Sequence, residues 1–577
     1  MNNQDTSNNN QTIKKIMPKV GQNISNLPGL KIIPLGGIGD VTKNMYVYEL
    51  GNDIVIVDCG LGFPDEAMLG IDLVIPDVSY LESKKDKIRG IVITHAHDDH
   101  IGGLPYIWQH LGEPPIYAQK LATGFIKVKF TEANLPKGKI NMVGLDTELN
   151  LGAFKISFYQ VSHSVPDSVG VVLETHAGRV VHQADFKIDW TPVSGQLTDV
   201  GKAAYFGDKG VDLMLIDALR SERPGYNISE KVIQPTFEKI EKDASGKVLI
   251  TTTSSNIGRI QQAINVAIQS GRKVAMIGRS MENNFQVARD LGYLDVPPGL
   301  IIIPEEIKRI PDNKLLLIIA GAFGQPGSAL SRAANNDHRF VTIKPKDSVV
   351  FSADPIPSTE SAQHALIDKL AKIGANVYYT ALTDALHVSG HAAAEELKLM
   401  VNLIRPKYLL PIGATFRQMR AFADMVFEMG WGKDRVLLVD DGQVVVLNHG
   451  QVQTDGKVEI RNVYIDGLGI GDIGSVVLRD RQVMSEEGIV LVIVPVDSRT
   501  SQIVGEPDIV SRGFVFEKAS EELLDQAKRG VKAALADHEN AILDWRFTRH
   551  HIEEVLQEFF YKETKRRPLI LPVVVEV

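Results

Sequence analysis

The chain has 577 residues, a formal net charge of −9, and hydrophobic, charged and aromatic shares of 44%, 23% and 7%. That length asks for about two to four domains, the composition is that of a folded globular protein rather than a disordered one, and the acidic balance gives no global sign of nucleic-acid binding. The single cysteine, Cys59, excludes an internal disulfide framework and points to a reducing, cytoplasmic compartment.

The opening MNNQDTSNNNQTIKK lacks the apolar core of a secretory signal, and a disordered leader is expected over 1–27. Over 28–227, short apolar runs such as DIVIVDCGLG, GIVITHAHDD, FKISFYQVSHS and RVVHQADF alternate with helical stretches such as GLPYIWQHL, the pattern of a layered α/β domain. From 228 to 380 the alternation is clearer, as in a doubly wound insert, and 381–450 returns to the first style. Residues 451–465 read as a linker, and 466–577 as a compact α+β unit that opens on a Gly-rich joint and ends in LILPVVVEV. Apolar runs such as LLLIIAGA are far shorter than the ~20 residues of a membrane span, so no membrane association is expected.

The chemistry concentrates in THAHDDH, residues 94–100. His95 and His97 lie two apart, and Asp99 and His100 are adjacent, directly after the buried run GIVI. On a loop leaving a strand, this spacing aims two side chains at one metal and two at a neighbour. His and carboxylate ligands suit Zn²⁺ or Mn²⁺, and five ligand-type residues in six positions are hard to explain by packing. Later strand ends offer His163 and Asp185. A lone strand-end histidine is more often structural, so the first motif is what makes these two ligand candidates. His176, His182 and His387 read as loop or core residues, YKETKRRP as a solvated helix end, and Cys59 as a small buried residue.

The stretches THAHDDHIGGLPY, SHSVPDS and ADFKID resemble the metallo-β-lactamase superfamily. More closely, LGGIGD…KNM, GIDLVIPD, GRSMENN, HVSGHAAAEE, YIDGLGIGDIG, PDIVSRGFV and YKETKRRPLILP resemble bacterial ribonuclease J from about residue 29 to 577. The resemblance implies an α/β fold: a metallo-β-lactamase αββα sandwich interrupted by a β-CASP insert, plus a C-terminal α+β domain that helps pair subunits. It implies one zinc on His95, His97 and His163, with Asp185 bridging to a second zinc on Asp99, His100 and a further histidine; Mn²⁺ is the alternative metal. Asp58 matches a supporting aspartate. Asp217 and His391 match the acidic and histidine motifs of the β-CASP group, with His391 as proton donor to the leaving ribose oxygen. Asp99, Asp185, Asp217 and His391 are thus the expected catalytic set. The loop His387, Val388, Ser389, Gly390 and His391, with Arg279 and Ser280 of GRSMENN, is expected to hold a substrate phosphate. The implied activity is 5′-to-3′ exonucleolytic and endonucleolytic cleavage of RNA in its maturation and decay. The implied assembly is a homodimer, a homotetramer, or a hetero-oligomer with an active paralogue.

The chain departs from that pattern at the far end of the site. Where the family has Pro, aliphatic, His, Gly, Glu, Tyr, Arg, this chain reads PIGATFR: Gly413 replaces the last zinc ligand, and Ala414, Thr415 and Phe416 follow. Ala218, Leu219 and Arg220 stand for Ser, Thr and Asn, Gly258 for His, and Phe323 and Gln325 for Gln and Glu. Two readings follow. Either the second metal is kept by Asp99, His100 and Asp185 and activity is reduced, or the chain is a catalytically degenerate subunit that binds RNA beside an active paralogue. A third reading, a superfamily hydrolase on DNA or a small molecule, draws on the absent histidine but not on the C-terminal motifs, which favour RNA.

Overall fold

The computed structural model describes residues 28–577 apart from 66, 194–196, 356–358, 468, 498, 500–503, 515–520, 537–544 and 577, so the expected leader 1–27 lies outside the described residues. The apolar runs become strands of two large sheets. The first is eight-stranded, in the order Gln451–Lys457, Gln443–Asn448, Leu30–Gly36, Met45–Leu50, Asp53–Val57, Ile88–Val92, Ile116–Ala118, Ile140–Met142. The second is six-stranded, in the order Tyr408–Ile412, Leu213–Asp217, Gly178–Gln183, Val169–Thr175, Phe154–Gln160, Leu149–Leu151.

One core joins the two sheets: Tyr48, Val55 and Val57 of the first sheet pack with Ile156, Phe158, Val171, Val181 and Leu215 of the second. The helices Val200–Asp208, Ala394–Ile404 and Phe416–Glu428 add Phe206, Leu397, Met400, Met419 and Phe422 to the same cluster, and the helix Lys120–Glu132 lies against Ile116–Ala118 and Ile140–Met142 of the first sheet, so helices flank both sheets of the αββα sandwich. Each fully buried Leu, Met or Phe contributes about 1.5–3 kcal/mol of transfer free energy, so the sandwich is held by area rather than by any single contact.

Strand direction brings the chemistry to one end. In the second sheet, Phe154–Gln160 and Gly178–Gln183 each run antiparallel to Val169–Thr175, hence parallel to each other, and Leu213–Asp217 and Tyr408–Ile412 continue that direction. In the first sheet Asp53–Val57 and Ile88–Val92 are parallel. Asp58, His95, His163, Asp185, Asp217 and Gly413 each end a strand or follow one within three residues, in the position where open α/β sheets collect functional groups.

The insert carries its own five-stranded sheet, ordered Lys273–Ile277, Leu315–Ile319, Val248–Thr251, Ser348–Phe351, Asn376–Tyr378, with every pairing parallel. Its interior strand LLLII, Leu315–Ile319, is buried at all five positions, as a strand covered on both faces must be.

The chain divides into two compact units, residues up to 63 with 73–463, and 64–72 with 464–577. The second unit has a three-stranded sheet whose strand Ile489–Val496 buries Val490, Val492, Val494 and Val496 in strict alternation against Ala527, Val531, Leu535, Ile552, Leu556 and Phe560. Two boundaries differ from the sequence expectation. Within the expected linker, Gln451–Lys457 forms the edge strand of the first sheet, and its QVQTDGK sequence is mostly exposed, so no apolar alternation announces it. Residues 64–72 belong to the second unit because Asp72 N–H donates to the Ile465 carbonyl at 2.9 Å, Asp72 Oδ2 accepts from Gly467 N–H at 2.8 Å, and Arg481 donates to the Leu69 carbonyl at 3.0 Å.

Candidate metal centre

The loop after Ile88–Val92 turns at His97 into the short helix Asp98–Ile101, and it is tied down by Cys59 N–H donating to the His100 carbonyl at 2.8 Å and Asn44 N–H to the Asp99 carbonyl at 3.0 Å. His97 Nδ1 then lies 3.2 Å from His95 Nε2 and 3.0 Å from His163 Nε2, while Asp185 Oδ2 lies 3.6 Å from both His95 Nε2 and His163 Nε2. Beside them, His100 Nε2 is 3.4 Å from Asp99 Oδ2 and 3.6 Å from Asp185 Oδ1. Within each of the groups His95/His97/His163/Asp185, Asp99/His100/Asp185 and Asp185/Asp217/His391 the ligand-type atoms lie within 4.8 Å of one another. Asp185 is common to all three.

These separations fit a metal. Ligands about 2.1 Å from a tetrahedral zinc ion stand roughly 3.4 Å apart. The orienting groups fit as well: His163 Nδ1 donates to the Gly390 carbonyl at 2.7 Å and His100 Nδ1 to Asp58 Oδ2 at 2.7 Å, which leaves both Nε2 lone pairs turned into the cluster. The His97 Nδ1 and His163 Nε2 nitrogens, 3.0 Å apart, need either an N–H proton or a cation between them. Burial pushes His95, His97 and His163 down, keeping them neutral. At His100 burial acts the same way, but Asp99, Asp185 and Asp58 outweigh it and hold the imidazole well above its usual value. That excess of carboxylate charge calls for a proton or a divalent cation at this place.

Asp58 is the hub of the orienting layer. It sits in the left-handed region at φ 61° and accepts from Thr94 N–H and Thr94 Oγ1, each at 2.8 Å, as well as from His100. A non-glycine residue held there is strained, and the three donors over-determine its position. Thr94 Oγ1 also lies 3.0 Å from His95 Nδ1, and Ser164 Oγ lies 3.2 Å from His97 Nε2.

On the opposite side, His391 Nδ1 lies 2.8 Å from Asp217 Oδ2 and its Nε2 3.7 Å from Asp185 Oδ2. Burial opposes a charged His391, but Asp217 and Asp185 prevail and raise it to about 9. Burial raises the Asp217 carboxyl against the pull of His391; at Asp185, burial is overcome by His391 and His100, which hold the carboxyl well below its usual value. Gly390 is packed so closely that a Cβ would come within 2.8 Å of His163 Cε1 and 3.0 Å of Ser164 Oγ, so only glycine lets its carbonyl reach His163. Ser389 Oγ accepts from His391 N–H at 3.2 Å. Val388 is buried, and burial lowers His387 to about 4. Arg279 and Ser280 open the insert helix Arg279–Asp290 and are exposed; among the described residues no hydrogen bond or ion pair joins them to the loop 387–391.

Gly413 closes the circuit without a side chain. Its φ is 62°, its N–H donates to the Gly37 carbonyl at 2.8 Å, and a Cβ there would meet only Asp217 Oδ1, at 3.8 Å. A Cβ fits there without a clash, though the left-handed backbone strains any side chain.

Three contributors escape a reading of the sequence. Asn44 Nδ2 lies 3.2 Å from His100 Nε2, on the side facing the metal group. Glu396, fully buried, accepts from Ala393 N–H, Ile188 N–H, Asn227 N–H and Asn227 Nδ2 at 2.8–2.9 Å, fastening the loop after His391 to the chain after Asp185. Asn227 Nδ2 also donates to the His391 carbonyl at 2.5 Å. The motif KNM held Asn44 in view, but nothing in it announces a partner 56 residues away. His182 is a core residue, 2.9 Å from the Tyr48 hydroxyl, and His176 is exposed.

Comparison with known proteins agrees with this architecture. The chain matches the family descriptions "Metallo-beta-lactamase superfamily" over 38–226, "Ribonuclease J, beta-CASP domain" over 245–370, "Zn-dependent metallo-hydrolase RNA specificity domain" over 375–434 and "Ribonuclease J C-terminal domain" over 476–577. It is 38% identical to Ribonuclease J2 of Bacillus subtilis, across 96% of this chain and 99% of that one, and 37% identical to Ribonuclease J 1 of Streptococcus pyogenes, across 96% and 99%. Ribonuclease J 2 of Staphylococcus aureus is 35% identical across 95% of this chain and 98% of its own length. A crystal structure of a protein of unknown function from Enterococcus faecalis shares the fold at a TM-score of 0.52 and 15% identity, covering 73% of this chain and all of that one. Among the described residues no helix is long and apolar enough to cross a membrane. With the sandwich, the insert, the C-terminal unit and a converging His/Asp cluster all in place, the chain belongs to the ribonuclease J family of metal-dependent ribonucleases.

Proposed function

We propose that this ribonuclease works with zinc, one ion on His95, His97, His163 and Asp185 and a second on Asp99, His100 and Asp185, and that the second is held more weakly than in a centre with a seventh ligand at 413. The convergence of both ligand groups on Asp185 carries this reading. Bound zinc would supply Lewis acidity toward the phosphodiester and lower the pKa of water. The remaining work falls to the chain. Asp217, 2.8 Å from His391 Nδ1, favours the charged ring and holds it so that His391 can give its proton to the leaving ribose oxygen. Ser389 and the loop around Gly390 seat the substrate phosphate. Asp58, Thr94 and the Gly390 carbonyl fix the ligand imidazoles before substrate arrives. The products are those of 5′-to-3′ exonucleolytic and endonucleolytic cleavage, in the cytoplasm, by a homo-oligomer.

The open space at Gly413 favours a second reading, a degenerate subunit that binds RNA and partners an active paralogue. One experiment separates the two. The purified full chain is analysed for zinc and manganese and incubated with 5′-monophosphorylated RNA, beside Asp99→Ala/His100→Ala and Gly413→His. Two metals, with cleavage that the double variant loses, support the nuclease. One metal or none, with cleavage appearing only in Gly413→His, overturns it.

A further inference from the structure

A cavity of about 440 Å³ opens beside the far end of the metal centre, and none of the groups lining it belongs to the metal cluster. All of its lining comes from the first compact unit, so that unit builds it alone. Leu35, Ile38, Ile75, Pro76 and Ile460 give it apolar walls, with polar groups at a few places among them. That size and that mixture suit a small molecule oriented by a few hydrogen bonds.

The polar groups are not equally committed. Lys457 Nζ lies 3.7 Å from Asp440 Oδ2, while Lys43 Nζ donates to Asn462 Oδ1 at 2.8 Å and lies 3.3 Å from Asp40 Oδ2, which leaves one of its N–H groups over. Arg461 is held by its backbone, whose N–H donates to Asp77 Oδ2 at 3.1 Å, and its exposed guanidinium has no hydrogen bond or ion pair among the described residues. Asp441 uses Oδ1 to accept from the Ile38 N–H at 3.0 Å, and its Oδ2 has no partner among the described residues. Burial raises this carboxyl to about 7, so near neutral pH Oδ2 serves as an acceptor when charged and as a donor when protonated.

A carboxyl oxygen between apolar walls matches the amino-bearing edge of a nucleobase, where a donor stands beside a ring nitrogen that accepts. A guanidinium and an ammonium on the same cavity match a phosphate, through charge-assisted hydrogen bonds. We propose that the cavity binds a nucleoside 5′-monophosphate with an amino-bearing base: Asp441 Oδ2 reads the base, and Arg461 with Lys43 holds the phosphate. The inference rests on the reading of the chain as a 5′-to-3′ ribonuclease, whose product is such a nucleotide. The cavity also adjoins the far end of the centre, since Ile38 donates to Asp441 and pairs with Ala414, and the Gly37 carbonyl accepts from the Gly413 N–H. A nucleotide held there bears on the backbone that positions residue 413.

The test is isothermal titration of the full-length protein with AMP, IMP, adenosine and ribose 5-phosphate, using the natural chain, Arg461→Gln, Asp441→Asn and Asp99→Ala/His100→Ala. The natural chain should bind AMP roughly tenfold or more tightly than each of the other three, because each lacks one charge-assisted contact or the base. Arg461→Gln should bring AMP down to the level of adenosine. Asp441→Asn should reverse the choice of base: with its oxygen kept on Ile38, the amide turns an N–H toward the ring and matches the carbonyl of IMP rather than the amino group of AMP. The double variant should bind AMP as the natural chain does, since the cavity uses no metal ligand. No saturable AMP binding, or AMP binding that the double variant loses and the cavity variants keep, overturns the inference and leaves the proposed function standing. Equal binding of AMP and IMP by the natural chain overturns the role of Asp441. The expected pattern in a chain that cleaves no RNA upholds the cavity and overturns the proposed function.

Discussion

At the His95–His100 end of the centre the described side chains are held by others: His100 by Asp58, Asp58 by Thr94, His163 by the Gly390 carbonyl. At the far end, the strand Tyr408–Ile412 delivers Gly413 to the same cluster with its backbone equally well fixed, by the Gly37 carbonyl and by Ala414 pairing with Ile38, but with no donor to offer. The resemblance expects a ligand histidine at this position, and here the backbone is fixed without a donor side chain. Backbone placement comes from the core and the sheet register, and coordination from one side chain, so the second can change while the first stays.

The largest break in that comparison should come from Asp185, the one group shared by both ends. Asp185→Ala removes a ligand from each metal group and should lower cleavage by at least about 100-fold, with both metals lost in elemental analysis, because even orienting groups are worth about 10–100-fold. Retention of two metals would show that the groups do not depend on a shared carboxylate. Asp58→Ala tests the orienting layer at the near end alone. It frees the His100 ring and should weaken metal affinity by about 10–100-fold in a chelator competition, while Gly413→Ala, which adds no donor, should leave affinity unaltered.

Gly413→His attacks the difference from the other side. A Cβ at 413 meets only Asp217 Oδ1, at 3.8 Å, and if an imidazole there reaches the second group the variant should bind its second metal about tenfold more tightly, read as stoichiometry against free zinc. The backbone at φ 62° opposes any side chain, and chemical denaturation of the metal-free variant should show about 1 kcal/mol lost. An unchanged stoichiometry would mean that the ligand position has drifted although its hydrogen bonds remain.

How much of this was legible in the sequence follows the same division. His95, His97, Asp99, His100, His163 and Asp185 stand out as ligand candidates in the sequence because each follows a buried run, where a polar residue has no packing reason to be, whereas Asp217 comes only from the resemblance. Gly413 could be read only against the resemblance, since a glycine after a strand is otherwise unremarked. Glu396 and Asn227 could not be read, because their value lies in contacts 169 residues apart. The edge strand Gln451–Lys457 was hidden for a related reason: an exposed edge needs no apolar alternation, and its pairing is written in the partner strand Gln443–Asn448.

The smallest expected effect concerns what holds the far end in place. Asp441 Oδ1 accepts from Ile38 N–H at 3.0 Å, and Ile38 is the residue that pairs with Ala414 beside Gly413. Burial raises the Asp441 carboxyl from 3.8 to about 7, opposed by Lys43 and the Ile38 N–H and reinforced by Asp40 and Asp440. A carboxyl raised on folding gives stability that is full below its unfolded pKa and lost as pH rises through its folded one, so this contribution should fade between about pH 4 and pH 7. Asp441→Asn keeps a carbonyl acceptor for Ile38 but has no charge to acquire. In thermal denaturation of the metal-free protein, the natural chain should therefore lose about 2 °C relative to Asp441→Asn between pH 5 and pH 8, a small figure because the carboxyl is partly reached by solvent. The near end rests on Asp58, whose charge is matched by His100, while the far end rests on a carboxyl whose charge grows as the pH passes neutrality. A pH profile that is flat in both proteins, or one that rises for the natural chain, would break that contrast.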